Sequence, residues 1–368
     1  MLFKKLSISL LCLLVLLTTL SVSTTKNVYA AQTKKLRVAL VLPGSINDKG
    51  FNQSAYDGLQ LIKTKLGLET TFSESTPSAN FERVFREYAD DGYDVIIGHG
   101  FEFGDVASKV SKDYPNQIFL VTSRSDLSGP NLASIQARVS DAAFLVGVLA
   151  GLTTQSNKVG SIQGFDFPTL VAQTEAFRLG IKSVNPKADL IVSYLGTFDD
   201  PAKGKEAALA QISAGVDVIY VDADSAGLGS IQAADEKGAK AIGWGIDQNS
   251  VAPKTVIATQ RVDTPTEMLQ EIQLIMDGKF DGKAKQYGLE TGTVGVSDYH
   301  GLVSAAIAAQ VEAWRQAIIA GAVTVPHLTD KEAAVKLDPL KLPPPGALST
   351  MSATAAAMTP TMAATASN

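Results

Sequence analysis

Cysteine is almost missing from this chain: one residue, Cys12, in 368. That excludes a disulfide framework and any cysteine-built metal or redox centre, so the fold must rest on core burial. Histidine is nearly as scarce. His99, His300 and His327 stand far apart with no His-x-x-x-His pair, a spacing that offers zinc nothing to bind. No basic run occurs in the body of the chain, whose net charge is −5, so nucleic acid finds no electrostatic footprint. The phosphate loop Gly-x-x-x-x-Gly-Lys and the Gly-x-Ser-x-Gly elbow are absent, and Gly227-Leu228-Gly229 lacks the third glycine of a dinucleotide fingerprint. No nucleophile can be paired with a base, and no cofactor or metal is expected.

What is present is ordinary globular material, 45% hydrophobic and 19% charged, and too long for one core. Two stretches differ from the body. Met1 to Lys5 is a short basic start, Leu6 to Val22 is apolar, and Val28-Tyr29-Ala30 carries cleavage-site residues. Together they predict a signal peptide over 1–30, and an exported protein, periplasmic or at the cell surface. Leu11 rather than a small residue precedes Cys12, so no lipid anchor is expected. At the other end Leu342-Pro343-Pro344-Pro345-Gly346 breaks regular structure ahead of an Ala/Thr/Met/Ser tail, which predicts disorder over 340–368.

Between these ends the chain repeats itself. Gly92-Tyr93-Asp94-Val95-Ile96 recurs as Gly215-Val216-Asp217-Val218-Ile219, and strand-like openings around Val38 and Val159 precede the two copies at a matching distance. In each half a strand-like apolar run alternates with helical spacing, as at Leu59, Ile62 and Leu66 between Leu36–Leu42 and Thr70–Ser73. Alternation of this kind predicts an α/β protein with two doubly wound parallel-sheet lobes. The first lobe is expected over 35–137 plus about 262–296 and the second over 138–261 plus about 297–325. Chain crossings near Gln136–Ser140, Thr259–Asp263 and Val296–Tyr299 would make a three-stranded hinge that allows closure and restricts twisting.

Ligands of parallel sheets lie beyond the carboxyl ends of the strands. The loops expected there are rich in aromatic, Asp, Asn and Gly residues, a mixture suited to a flat solute stacked on rings and hydrogen-bonded at its rim. Phe51, in Gly50-Phe51-Asn52-Gln53, and Phe198, in Gly196-Thr197-Phe198-Asp199-Asp200-Pro201, would supply one ring from each lobe. Each could instead staple a helix start. Asn47, Asp48, Asn52, Asp224 and Asp247 are candidate rim groups, and each could equally be a turn or cap residue. Asp199 and Asp200 read as helix caps before Pro201.

At these residues the chain resembles the basic membrane protein family of ABC-transporter solute-binding proteins, which includes bacterial purine-nucleoside receptors. The matching stretches are Asn47 to Ala55, Gly100 to Phe103, Phe144 to Ala150, Phe177 to Pro186, Gly196 to Pro201, Gly227 to Gly229 and Asp247-Gln248. The resemblance implies the periplasmic-binding-protein type I fold, a base stacked between Phe51 and Phe198, and Asn52 and Asp48 approaching it from the first lobe. Family members commonly carry an acidic residue where this chain has Gly245 and a lysine where it has Gln260, so the usual sugar grip is altered. Either Asp222 and Asp224 replace that grip, or Trp244 fills the space of the sugar. The function implied is the exported component of an ABC importer that captures a purine-like nucleoside or nucleobase and presents it to a membrane permease, as a monomer. A sensor domain for a signalling partner, or a nucleoside hydrolase built on the Asp cluster, is the alternative.

Overall fold

The computed structural model describes residues 35–48 and 50–344; the expected signal peptide, Lys49 and the tail from Pro345 lie outside the described residues. The first half runs β1 (Arg37–Val41), α1 (Phe51–Leu66), β2 (Glu69–Ser73), α2 (Phe81–Asp90), β3 (Val95–Gly98), α3 (Gly104–Val110), β4 (Ile118–Thr122), the short β5 (Ser128–Gly129) and β6 (Leu132–Ala137). The second follows as α4 (Val139–Thr153), β7 (Lys158–Gln163), α5 (Pro168–Val184), β8 (Asp189–Tyr194), α6 (Pro201–Ser213), β9 (Val218–Asp222), α7 (Asp224–Lys237), β10 (Lys240–Gly245) and β11 (Val256–Val262). The chain ends with α8 (Thr264–Met276), β12 (Lys285–Tyr287), β13 (Val294–Val296) and α9 (Ala305–Ile319).

Two sheets result, ordered β12-β6-β4-β3-β1-β2 and β13-β11-β10-β9-β7-β8, with β5 on the flank of β6. The orders are the same once the strands are matched one for one, which is the architecture behind the sequence repeat. Pairing is parallel except at β5–β6 and β11–β13. Val38 to Val41 are fully buried, as expected of a strand covered on both faces.

Three elements depart from the sequence reading. Helix α4 carries no apolar stripe because Ser140 to Gly151 are buried all round, so helical periodicity has nothing to mark. Its backbone lies against α5: a Cβ on Gly147 would come within 2.2 Å of the Phe177 carbonyl oxygen, and one on Gly180 within 2.2 Å of that of Phe144. Strand β13 was expected in the first lobe, whose end was set at 296, but it pairs antiparallel with β11 in the second sheet. The third crossing therefore falls between Tyr287 and Val294, since only β12 pairs with β6 in the first sheet. The expectation of disorder from 340 also fails at its start. Lys182 Nζ donates to the carbonyls of Ala334, Val335 and Leu337 at 3.1–3.2 Å. The Leu340 N–H donates to Ser183 Oγ at 2.9 Å, and Leu340 and Leu342 pack on the second lobe's core.

Candidate functional site

The carboxyl ends of both sheets face one gap. Thr122 ends β4, Ala137 ends β6, Asp222 ends β9, Val262 ends β11, and all four line the same cleft. The cleft encloses a cavity of about 200 Å³, below the roughly 300–1,000 Å³ of pockets for drug-sized ligands and so suited to a compact solute.

Phe51 opens α1 and enters the cleft with its ring stacked on His99, centroids 3.8 Å apart and planes at 26°. His99 is buried and fixed in one tautomer. Its Nε2 lies 3.0 Å from the Phe51 carbonyl oxygen, which can only accept, so Nε2 carries the proton. Nδ1 then accepts from the Thr122 hydroxyl at 2.8 Å, and that hydroxyl in turn accepts from the Gly100 N–H. Burial lowers the imidazole pKa to about 3, so the ring is neutral and both nitrogens are committed. It buttresses Phe51 and is not free to act as a base.

Asp48 does not line the cleft. It is buried beneath the start of α1, where Oδ1 accepts from the Gly50 and Gln53 N–H groups and Oδ2 from the Asn52 N–H and Nδ2, at 2.8–3.0 Å. Both oxygens are occupied in capping the helix. Asn52 does line the cleft, though its Oδ1 accepts from the Gly44 N–H. Asn47 is exposed in the preceding turn and stays outside, because the turn closes on Ser45 through its own N–H. Asp247 also stays outside: it accepts from the Asn249 N–H and lies 2.8 Å from His300 Nε2.

The second lobe contributes Asp224, Phe198 and Trp244 to the cleft. Asp224 Oδ1 accepts from the Phe51 N–H at 3.1 Å, so a carboxyl of one lobe completes the helix cap of the other. The lobes are closed at this point. Gly245, with φ +86°, lies 3.6 Å by its ideal Cβ from the Gly50 Cα, and a Cβ on Gly50 would meet Asp224 Oδ1 at 2.5 Å. An acidic side chain at 245 would have to adopt a left-handed backbone beside this junction. The Trp244 ring stands 6.3 Å from that of Phe51, tilted by 42°. Phe198 packs on Phe165 at 5.1 Å, while Phe167 stacks flat on Phe165 and meets the edge of Phe101 from the first lobe at 5.2 Å. Asp200 caps α6 as expected, through the Ala202 and Lys203 N–H groups, but Asp199 lines the cleft instead.

Behind Trp244 lies a neutral polar floor. Gln173 Oε1 accepts from Trp244 Nε1 at 2.8 Å and from Gln260 Nε2 at 2.6 Å, while its Nε2 donates to Asp222 Oδ2 at 3.1 Å. The Tyr220 hydroxyl donates to Gln260 Oε1 at 2.8 Å. Gln260 is fully buried, so an amide and not an ammonium occupies this position. Burial pushes Asp222 up to about 7 and Asp224 well above the carboxylate range, Asp48 adding repulsion to the latter. Glu267, in the first turn of α8, is pushed up to about 8 by burial; a Thr293 hydrogen bond opposes the shift and the Asp263 charge adds to it. Gln173, Glu267 and Phe167 are among the lining residues that the sequence reading did not single out. Gln173 and Glu267 sit within the first two turns of their helices, where an amide or a carboxylate normally faces water.

Residues 35–329 match the Bmp family, described as ABC transporter substrate-binding protein PnrA-like. The chain belongs to this family. It is 31% identical over 317 residues to a CD4+ T-cell-stimulating antigen of Listeria innocua, spanning 80% of this chain and 89% of that one. Over 199 residues it is 31% identical to the ABC transporter nucleoside-binding protein BmpA of Lactococcus lactis, spanning 53% of this chain and 57% of that protein. A solute-binding protein of an ABC transporter system from Aeropyrum pernix superposes with a TM-score of 0.75 at 24% identity, over 82% of this chain and 95% of that one. The Bmp-family chain is a substrate-binding protein of an ABC transporter with the two-lobed periplasmic-binding-protein fold, so a small-molecule ligand and a membrane permease are its partners. The family is not an enzyme class. Among the described residues no helix is long and apolar enough to cross a membrane, and no three His, Cys, Asp or Glu side chains are grouped to hold a metal ion.

Proposed function

We propose that this Bmp-family protein is exported and captures a flat, purine-like heteroaromatic solute, a nucleobase or nucleoside, in the cleft between its lobes. The observation that carries the reading is the convergence of half-buried rings from both lobes on one gap: Phe51 from the first, Phe198 and Trp244 from the second. Base-on-ring stacking contributes on the order of 1–3 kcal/mol per ring. The amide and hydroxyl groups beside the rings supply directional contacts, which strengthen as closure excludes water. The nucleoside-binding name of the Lactococcus lactis relative points the same way. Trp244 and the neutral Gln173–Gln260 floor favour a compact ligand, a base or a base with a small substituent, over one whose sugar needs a charged grip. The ligand selects the closed form by the amount it binds that form better than the open one, and the permease receives the closed form.

Titration calorimetry with bases and nucleosides tests the reading. Phe51→Ala and Phe198→Ala should each weaken binding more than tenfold with the fold intact by circular dichroism. Unchanged affinity in both variants, or binding by sugars alone, would remove the stacking mode.

A further inference from the structure

The charge of the cleft is one-sided. Glu102 and Glu267 enter it from the first lobe, and Asp199, Asp222 and Asp224 from the second, while no Lys or Arg lines it among the described residues. Clusters of carboxyls often bind metal ions, but among the described residues none has the grouping a metal needs. Glu267 is 4% exposed, and its Oε1 has no hydrogen-bond partner. An unpaired buried carboxyl oxygen is costly, and a native site that keeps one has a use for it. Aromatic rings carry negative faces that attract organic cations, and Phe51, Phe198 and Trp244 line this gap.

We infer that the ligand is a heteroaromatic cation, and that Glu267 is the specificity residue that accepts from its charged or strongly N–H-donating edge. The inference rests on the reading of the cleft as the seat of a flat solute and adds the charge of that solute. Burial supports it. It pushes Asp222 up to about 7 and Glu267 up to about 8, and a ligand cation would supply the countercharge that no lysine or arginine of the cleft lining provides. Anionic solutes such as nucleotides meet only like charge and should be refused.

Two closely matched pairs, each differing by one ring N-methyl and its charge, test the assignment: 1-methyladenosine, a cation, against neutral adenosine, and 1-methylnicotinamide, a cation, against neutral nicotinamide. Calorimetry on the full mature chain should show at least one cation bound tenfold or more tightly than its neutral partner. Glu267→Gln, which keeps the shape, should erase that preference by weakening the cation at least tenfold more than the neutral partner; Asp222→Asn serves as a second variant if the first folds poorly. Neutral members bound as tightly as the cations, or both weakened alike by Glu267→Gln, would overturn the assignment and leave the stacking reading standing. Adenosine monophosphate bound more tightly than adenosine would also overturn it. If no member of either pair binds, both the assignment and the stacking reading fall.

Discussion

Glu267 shows how one residue can carry both a functional signal and a stability cost. Its carboxyl is raised from 4.5 to about 8 in the folded chain, chiefly by burial. Between those values the native state holds a proton that the unfolded state has released, so unfolding free energy falls as pH rises and levels off above about pH 8. Asp222, raised to about 7, acts in the same direction. The melting temperature of the ligand-free protein should therefore decline from about pH 5 to pH 8, and Glu267→Gln should flatten that decline and gain stability at the alkaline end. Equal pH slopes for the two proteins in a thermal melt would contradict the burial account. At this scale the sequence is legible where chemistry and loop position coincide, as for Phe51 and Phe198, which follow Gly50 and Gly196-Thr197 at strand-to-helix turns. It is misleading where a cap resembles a ligand group. Asp48 has the composition of a rim residue, and only the four donors converging on it reveal that both its oxygens cap the helix start.

Among the elements, α4 and α5 cross at backbone contact, and the crossing is set by two glycines. Gly147→Ala would press a methyl to 2.2 Å from the Phe177 carbonyl oxygen, a backbone atom that cannot rotate away. The helices would have to separate, and overpacking of this kind costs about 1–3 kcal/mol. Chemical denaturation should show that loss with the m-value unchanged, whereas a neutral substitution would mean the crossing is looser than the structure has it. The run Phe144 to Ala150 could be matched to a family from its letters but not assigned to a helix from its pattern, because a helix buried on every side shows no period. Strand β13 escaped for a different reason. Three residues, Val294 to Val296, hold too little pattern to choose between two sheets, and the choice is made by hydrogen bonds to β11.

At the level of the molecule the two-lobed plan was legible in the repeated Gly-x-Asp-Val-Ile runs, which reappear as the matched strand orders of the two sheets. Closure was not written there, because it depends on contacts between residues 173 positions apart. The bond from the Phe51 N–H to Asp224 joins the lobes directly across their junction and satisfies a free N–H at the start of α1. Asp224→Ala should therefore shift the ligand-free protein toward the open form, read as a larger radius of gyration by small-angle scattering, with saturating ligand restoring the compact value. An unchanged radius would mean that other contacts keep the lobes together.

The chain has two tryptophans, and their surroundings differ in a usable way. Trp314 is sealed in the second lobe's core beside Phe144, whereas Trp244 borders the gap and is hydrogen-bonded through its indole to Gln173. One fluorophore is thus shielded from whatever enters and the other adjoins it. The protein carries a built-in optical gauge with its own internal standard, and occupancy can be followed in solution with no dye attached.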